Sequence, residues 1–163
     1  MTARILLLVR HAKSSWKHPE LDDIDRPLNK RGRRDAPEMG RRLSHRKLIP
    51  DLVLCSPAVR TKATAEAIAA EVGYSADQIV INDDLYAASE QEVLDAVAST
   101  DDRVRTLMVV THNPVITDLA NRFSPTPIDN VPTCGVLTVT LESWTRPELG
   151  VLADFDYPKR EPC

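Results

Sequence analysis

Aromatic side chains are scarce in this 163-residue chain, at 4%, which leaves too few rings for a base-stacking platform. No basic excess is present either. The formal net charge is −3, and non-specific nucleic-acid binding needs a positive footprint. Cysteine occurs only as Cys55, Cys134 and Cys163, an odd and widely spaced set that suits no closed disulfide framework. There is no CxxC pair and no Cys/His cluster, so no structural zinc site is expected. The hydrophobic runs are short. Ile5–Val9 is too brief for a signal-peptide core or a membrane span, and no later run is longer. The expected setting is a reducing cytoplasm, with neither membrane nor nucleic acid as a partner.

What remains is ordinary for a globular domain: 42% hydrophobic and 28% charged residues, enough to bury a substantial core. Residues 1–163 are read as one domain. Stretches rich in β-branched residues at Ile5–Val9, Leu52–Leu54, Ile79–Ile81 and Leu107–Val110 read as buried parallel strands, near-continuously apolar. Val136–Leu141 and Val151–Phe155 follow with no helix between them, which suggests an edge hairpin.

Helical patterns separate the strands. "SPAVRTKATAEAIAAEVG" offers Ser56 as N-cap, Pro57 at the first helical position and Gly73 as the stop. "SEQEVLDAVAS" carries a capping box, Ser89 with Glu92. "NPVITDLANRF" repeats the cap-plus-proline start at Asn113 and Pro114. The basic segment from Lys30 to Lys47 reads as a helix that Pro37 should kink or divide; its charge suits a solvated face, or a docking face for an acidic partner. The alternation implies a three-layer α/β/α domain with a mainly parallel central sheet.

In such sheets ligands bind beyond the carboxyl ends of the strands. Arg10 and His11 follow the first strand at that end. "LCSPAVRT" follows the second and places Arg60 in an opening helical turn. "VVTHNP" follows another strand and sets His112 before a helix. Two arginines and two histidines thus meet at one rim, beside helix N-termini that favour an anion. Arginine's planar fork pairs with phosphate oxygens and keeps its charge. A histidine can also accept a phosphoryl group covalently. The ligand that fits this set is a phosphoryl group.

The segments "VRHAKS", "SPAVRTKAT" and "VTHNP", with "DRPLNKRGRRDA" from Asp25 to Ala36, resemble the signature segments of the histidine phosphatase superfamily, the fold shared with cofactor-dependent phosphoglycerate mutase. The short chain is most similar to its SixA-like phosphohistidine phosphatases. The resemblance implies His11 as nucleophile, Arg10 and Arg60 gripping the phosphoryl oxygens, and His112 stabilising the transferring group. It adds Arg26 as a further phosphate contact. It implies neither metal nor other cofactor. The larger phosphomonoesterases of the superfamily carry a general-acid glutamate at the position matching Ala87; Asp83, Asp84 and Glu90 lie nearby, but none fits the motif. A protonated imidazole leaves phosphorus as a neutral molecule and needs no such acid. The expected substrate is therefore phosphohistidine on a protein, the alternatives being a small phosphoester or a non-catalytic phosphate-binding role.

Overall fold

Arg4–Arg10 forms strand β1, and its side chains alternate between two cores. Leu7 and Val9 point to one face, Leu6 and Leu8 to the other, all essentially inaccessible to solvent. The same alternation recurs in β4 (Thr106–Thr111), where Met108 and Val110 oppose Leu107 and Val109. Only a central strand covered on both faces needs this pattern. Truncating one of these leucines to alanine is expected to cost about 2–5 kcal/mol.

The computed structural model describes residues 3–161; Cys163 lies outside them. The remaining elements are α1 (Lys30–His45), β2 (Leu52–Cys55), α2 (Val59–Val72), β3 (Val80–Ile81), α3 (Glu90–Ala98), α4 (Val115–Phe123), β5 (Val136–Leu141) and β6 (Val151–Asp156). The sheet runs β3-β2-β4-β1-β5-β6. The first four of these strands are mutually parallel, and β5 and β6 join antiparallel as the expected edge hairpin. Helices α1 and α2 cover one face, α3 and α4 the other, which is the three-layer α/β/α arrangement. Among the described residues, no helix is long and apolar enough to cross a membrane.

Several local expectations need correction. Helix α1 runs unbroken through Pro37, capped by Asn29, whose side chain accepts the Gly32 amide. One missing donor is tolerated because Ala36, Met39 and Leu43 anchor that helix in the core. Ser56 does not cap α2, which begins at Val59 after Ala58. Helix α4 begins at Val115, with Asn113 accepting the Thr117 amide from just outside. Strand β3 is an edge of two residues with Val80 and Ile81 exposed, not a buried strand. The basic face of α1 is not simply solvated. Arg42 is nearly buried against Glu38, Asp156 and the carbonyls of Tyr157 and Pro158, and Arg46 pairs with Asp154.

Candidate functional site

Strands β1 and β4 lie side by side with Arg10 opposite Thr111, so the residues that follow them emerge together. The His11 amide donates to the Thr111 carbonyl, and the Ala12 amide to Thr64 Oγ1 on α2. The backbone carrying His11 is thereby tied to a neighbouring strand and to a helix. Gly32 at the start of α1 packs so closely that an added Cβ would lie 2.2 Å from the Lys13 carbonyl oxygen. Only glycine permits that approach.

The His11 and His112 rings face each other with centroids 5.4 Å apart, and both residues are about 8% exposed. His11 Nδ1 lies 2.7 Å from the Ala12 carbonyl. A carbonyl can only accept, so Nδ1 carries the proton and Nε2 keeps its lone pair. Burial drives the His11 pKa down to about 3; Arg60, His112 and Arg10 push the same way, against the Ala12 hydrogen bond. Desolvation thus outweighs the neighbouring cations in keeping this ring neutral. Burial, then Arg60, lowers His112 to about 4.

Arg60 is buried and fixed through its whole fork. Its NH1 donates to the Asp23 carbonyl at 2.6 Å and its NH2 to Asp23 Oδ2 at 2.9 Å. The same NH2 faces His112 Nδ1 at 3.4 Å. That leaves the His112 Nε2 proton to donate to Ser56 Oγ, 2.7 Å away. Arg26 joins the group: NH1 bonds Asp23 Oδ1 at 2.9 Å, NH2 reaches Ser14 Oγ, and its guanidinium carbon sits 3.4 Å from the centre of the exposed Trp16 ring. Arg10 donates to the Val131 carbonyl, while its buried Nε has no hydrogen-bond partner. All five expected residues, Arg10, His11, Arg26, Arg60 and His112, thus belong to one rim.

Three members of the rim were not anticipated. Ser56 serves His112 rather than a helix end. Asp23 lies in the short 3-10 turn Asp23–Asp25 and binds both Arg26 and Arg60. The Tyr86 hydroxyl donates to Asp23 Oδ2 at 2.6 Å, with its ring edge-on to His112. The sequence held a weak signal for two of them, since Asp23 precedes Arg26 by three residues and Tyr86 adjoins Ala87. The carboxylates weighed as acids lie elsewhere: Asp83 and Asp84 are exposed, and Glu90 pairs with Arg122. Ala87 has a left-handed backbone, φ 55°. Among the described residues, no three His, Cys, Asp or Glu side chains gather as a metal site. A groove of about 440 Å³ lies elsewhere, between α1 and β6, lined by Glu38, Arg42, His45 and Asp154 among others.

The chain and its fold have counterparts. A model of the histidine phosphatase superfamily (branch 1) matches residues 6–89. An uncharacterised protein of Mycobacterium tuberculosis is 37% identical over 112 residues, covering 69% of this chain and 67% of its own. An uncharacterised chloroplastic protein of Arabidopsis thaliana is 44% identical over 70 residues, or 43% of this chain; the match spans only 32% of the plant protein. Among solved structures, a protein from Nakamurella multipartitia assigned as a phosphohistidine phosphatase SixA superposes with TM-score 0.80 at 28% identity, over 98% of this chain and 99% of its own. A tungstate complex of the protein histidine phosphatase SixA shares the fold, with TM-score 0.83 at 20% identity, over 94% and 97% of the two chains.

Proposed function

This chain belongs to the histidine phosphatase superfamily and is a phosphatase; we propose that it removes the phosphoryl group from phosphohistidine on a protein through a phospho-His11 intermediate. One observation carries the reading: a buried, neutral imidazole whose Nδ1 is held by the Ala12 carbonyl, leaving Nε2 as the nucleophile, within a rim of arginines and a second histidine.

In the first step the Nε2 lone pair of His11 forms a bond to phosphorus. The substrate's N–P bond breaks, and its electron pair stays on the departing imidazole. That imidazole is protonated at its other nitrogen, so it leaves neutral. Arg10, Arg26 and Arg60 take the phosphoryl oxygens, where charge builds during transfer. In the second step water attacks phosphorus. The electron pair returns to His11 Nε2, and the water proton passes to the released phosphate. His112, whose Nε2 proton goes to Ser56, acts on the phosphoryl oxygens through Arg60, which it orients by accepting at Nδ1.

The phosphohistidine preference draws on two features. By the resemblance Ala87 matches the position of the superfamily's acid, and the nearby carboxylate of Asp23 is held ionised, near pKa 2, by the Tyr86 hydroxyl and then by Arg60 and Arg26. An alkoxide would depart without a proton donor, whereas an imidazole needs none. The likeness to the assigned SixA structure at 28% identity points the same way.

The test is a labelled phosphoenzyme, trapped from a phosphorylated histidine-containing protein and quenched in base. The expected label is acid-labile, base-stable and confined to His11, and His11→Ala abolishes both label and turnover. Label on serine, cysteine or His112 overturns the mechanism. Turnover of para-nitrophenyl phosphate far above that of the phosphorylated protein favours a small phosphoester instead.

A further inference from the structure

The carboxylate of Asp23 stands on the donors that a phosphoryl group would need. Oδ1 takes Arg26 NH1 at 2.9 Å, and Oδ2 takes both Arg60 NH2 at 2.9 Å and the Tyr86 hydroxyl at 2.6 Å. The Asp23 carbonyl holds the other arm of Arg60. Two guanidinium forks and a phenol therefore already converge on a planar anion. Asp23 is also the outermost member of the group, with its side chain 52% exposed against 8% for that of Arg60. His11 lies beneath, nearly closed to solvent.

We propose that Asp23 determines specificity by charge, first as an internal competitor for the phosphoryl oxygens and then as an anion beside the leaving group. The proposal rests on His11 being the nucleophile. An incoming phosphoryl group must take Arg26 and Arg60 from the carboxylate, so a bare dianion such as inorganic phosphate gains little over the contact it replaces. In-line displacement sends the leaving group away from His11, which is toward solvent and the side Asp23 occupies. A negative charge there opposes a departing oxyanion. It attracts a leaving group that carries positive charge, as phosphoimidazole protonated on its distal nitrogen and N-protonated phosphoramidate do. The bond changes are those of the first step above, and Asp23 forms and breaks no covalent bond. Tyr86 sets the competitor's strength, because its hydroxyl holds the carboxylate in place.

The sign of a binding change separates this role from a scaffolding one. Titrating inorganic phosphate into Asp23→Asn by calorimetry should show affinity raised about fivefold, the scale of one half-exposed ion pair. Tyr86→Phe should change it in the same direction by less. If Asp23 merely organises the arginines, both variants bind phosphate more weakly. Unchanged or weakened binding in Asp23→Asn overturns the proposal, and Tyr86→Phe supplies the same sign test should the first variant fold poorly. The second arm compares kcat/KM for phosphoramidate with that for para-nitrophenyl phosphate. This ratio should fall about fivefold in Asp23→Asn, and an unchanged ratio also overturns the proposal. The calorimetric arm needs no turnover. Loss of the phospho-His11 reading alone would therefore show as a wild type without phosphoenzyme whose phosphate affinity still rises on Asp23→Asn.

Discussion

Ser56 Oγ lies 2.7 Å from His112 Nε2, and this contact fixes which nitrogen of His112 faces Arg60. Ser56→Ala removes the acceptor of that Nε2 proton, freeing the ring to exchange tautomers. The expected result is a fall in kcat of about tenfold, within the range for a misaligned hydrogen-bonding group, with KM little altered. Nitrogen-15 spectra should show a single Nε2-protonated His112 in the wild type and mixed tautomers in the variant. A variant with wild-type kcat would remove Ser56 from any positioning role.

Arg60→Ala should lose on the order of 10²-fold in kcat/KM, as when a preorganised charge donor is removed. Arg60→Lys should recover little. A single ammonium cannot serve the positions that NH1 and NH2 now hold against Asp23 and His112. Steady-state kinetics of both variants check this, and a near-normal lysine variant would refute it.

The pH dependence follows from two depressed histidines. His11 ionises near 3 and His112 near 4, so both are neutral through the physiological range. Once the substrate's own ionisations, of its phosphoryl group and of its imidazole, are divided out, kcat/KM should be level between pH 5 and 8, with no enzyme inflection near 6.5. The stability effect has a definite sign. Unfolded histidine binds its proton near 6.5, so between that value and about 4 the unfolded chain holds more protons, and stability falls as pH drops. For His112 the loss by pH 4 is on the order of 3 kcal/mol. Urea midpoints across this window should fall more steeply for the wild type than for His112→Asn.

Gly32→Ala should disturb catalysis from outside the rim. The added methyl meets the Lys13 carbonyl, and that backbone follows the Ala12 carbonyl holding His11. Overpacking against main chain costs about 1–3 kcal/mol. Denaturant unfolding should register that loss together with a lower kcat, whereas Gly73→Ala, which meets no nearby atoms but has φ 76°, should cost stability and leave kcat unchanged.

The strands and the rim were legible because their signals are local. A buried β-branched run followed by a charged pair reads as a strand ending at a site, and Arg10, His11, Arg60 and His112 each follow or border such a run. What escaped depends on contacts between distant segments. Ser56 looked like a helix cap because serine before proline usually is one; its true partner lies 56 residues away. Asp23 and Tyr86, 63 residues apart, carry only the weak signal of standing near Arg26 and Ala87, and become partners only when the sheet brings their loops together. Pro37 was misread because propensity speaks for an isolated helix, whereas the core decides for a packed one.

The amide of His11 is bonded to β4, in the middle of the sheet, while Asp23 sits in a 3-10 turn of three residues with no buried side chain. These two parts of one rim should therefore belong to different units of local unfolding. In hydrogen exchange, the amides around His11 should open only with the whole sheet, at close to the global unfolding free energy. Those from Asp22 to Arg26 should open far more readily. A phosphorylated substrate would then enter by melting one short turn, while the nucleophile keeps its place.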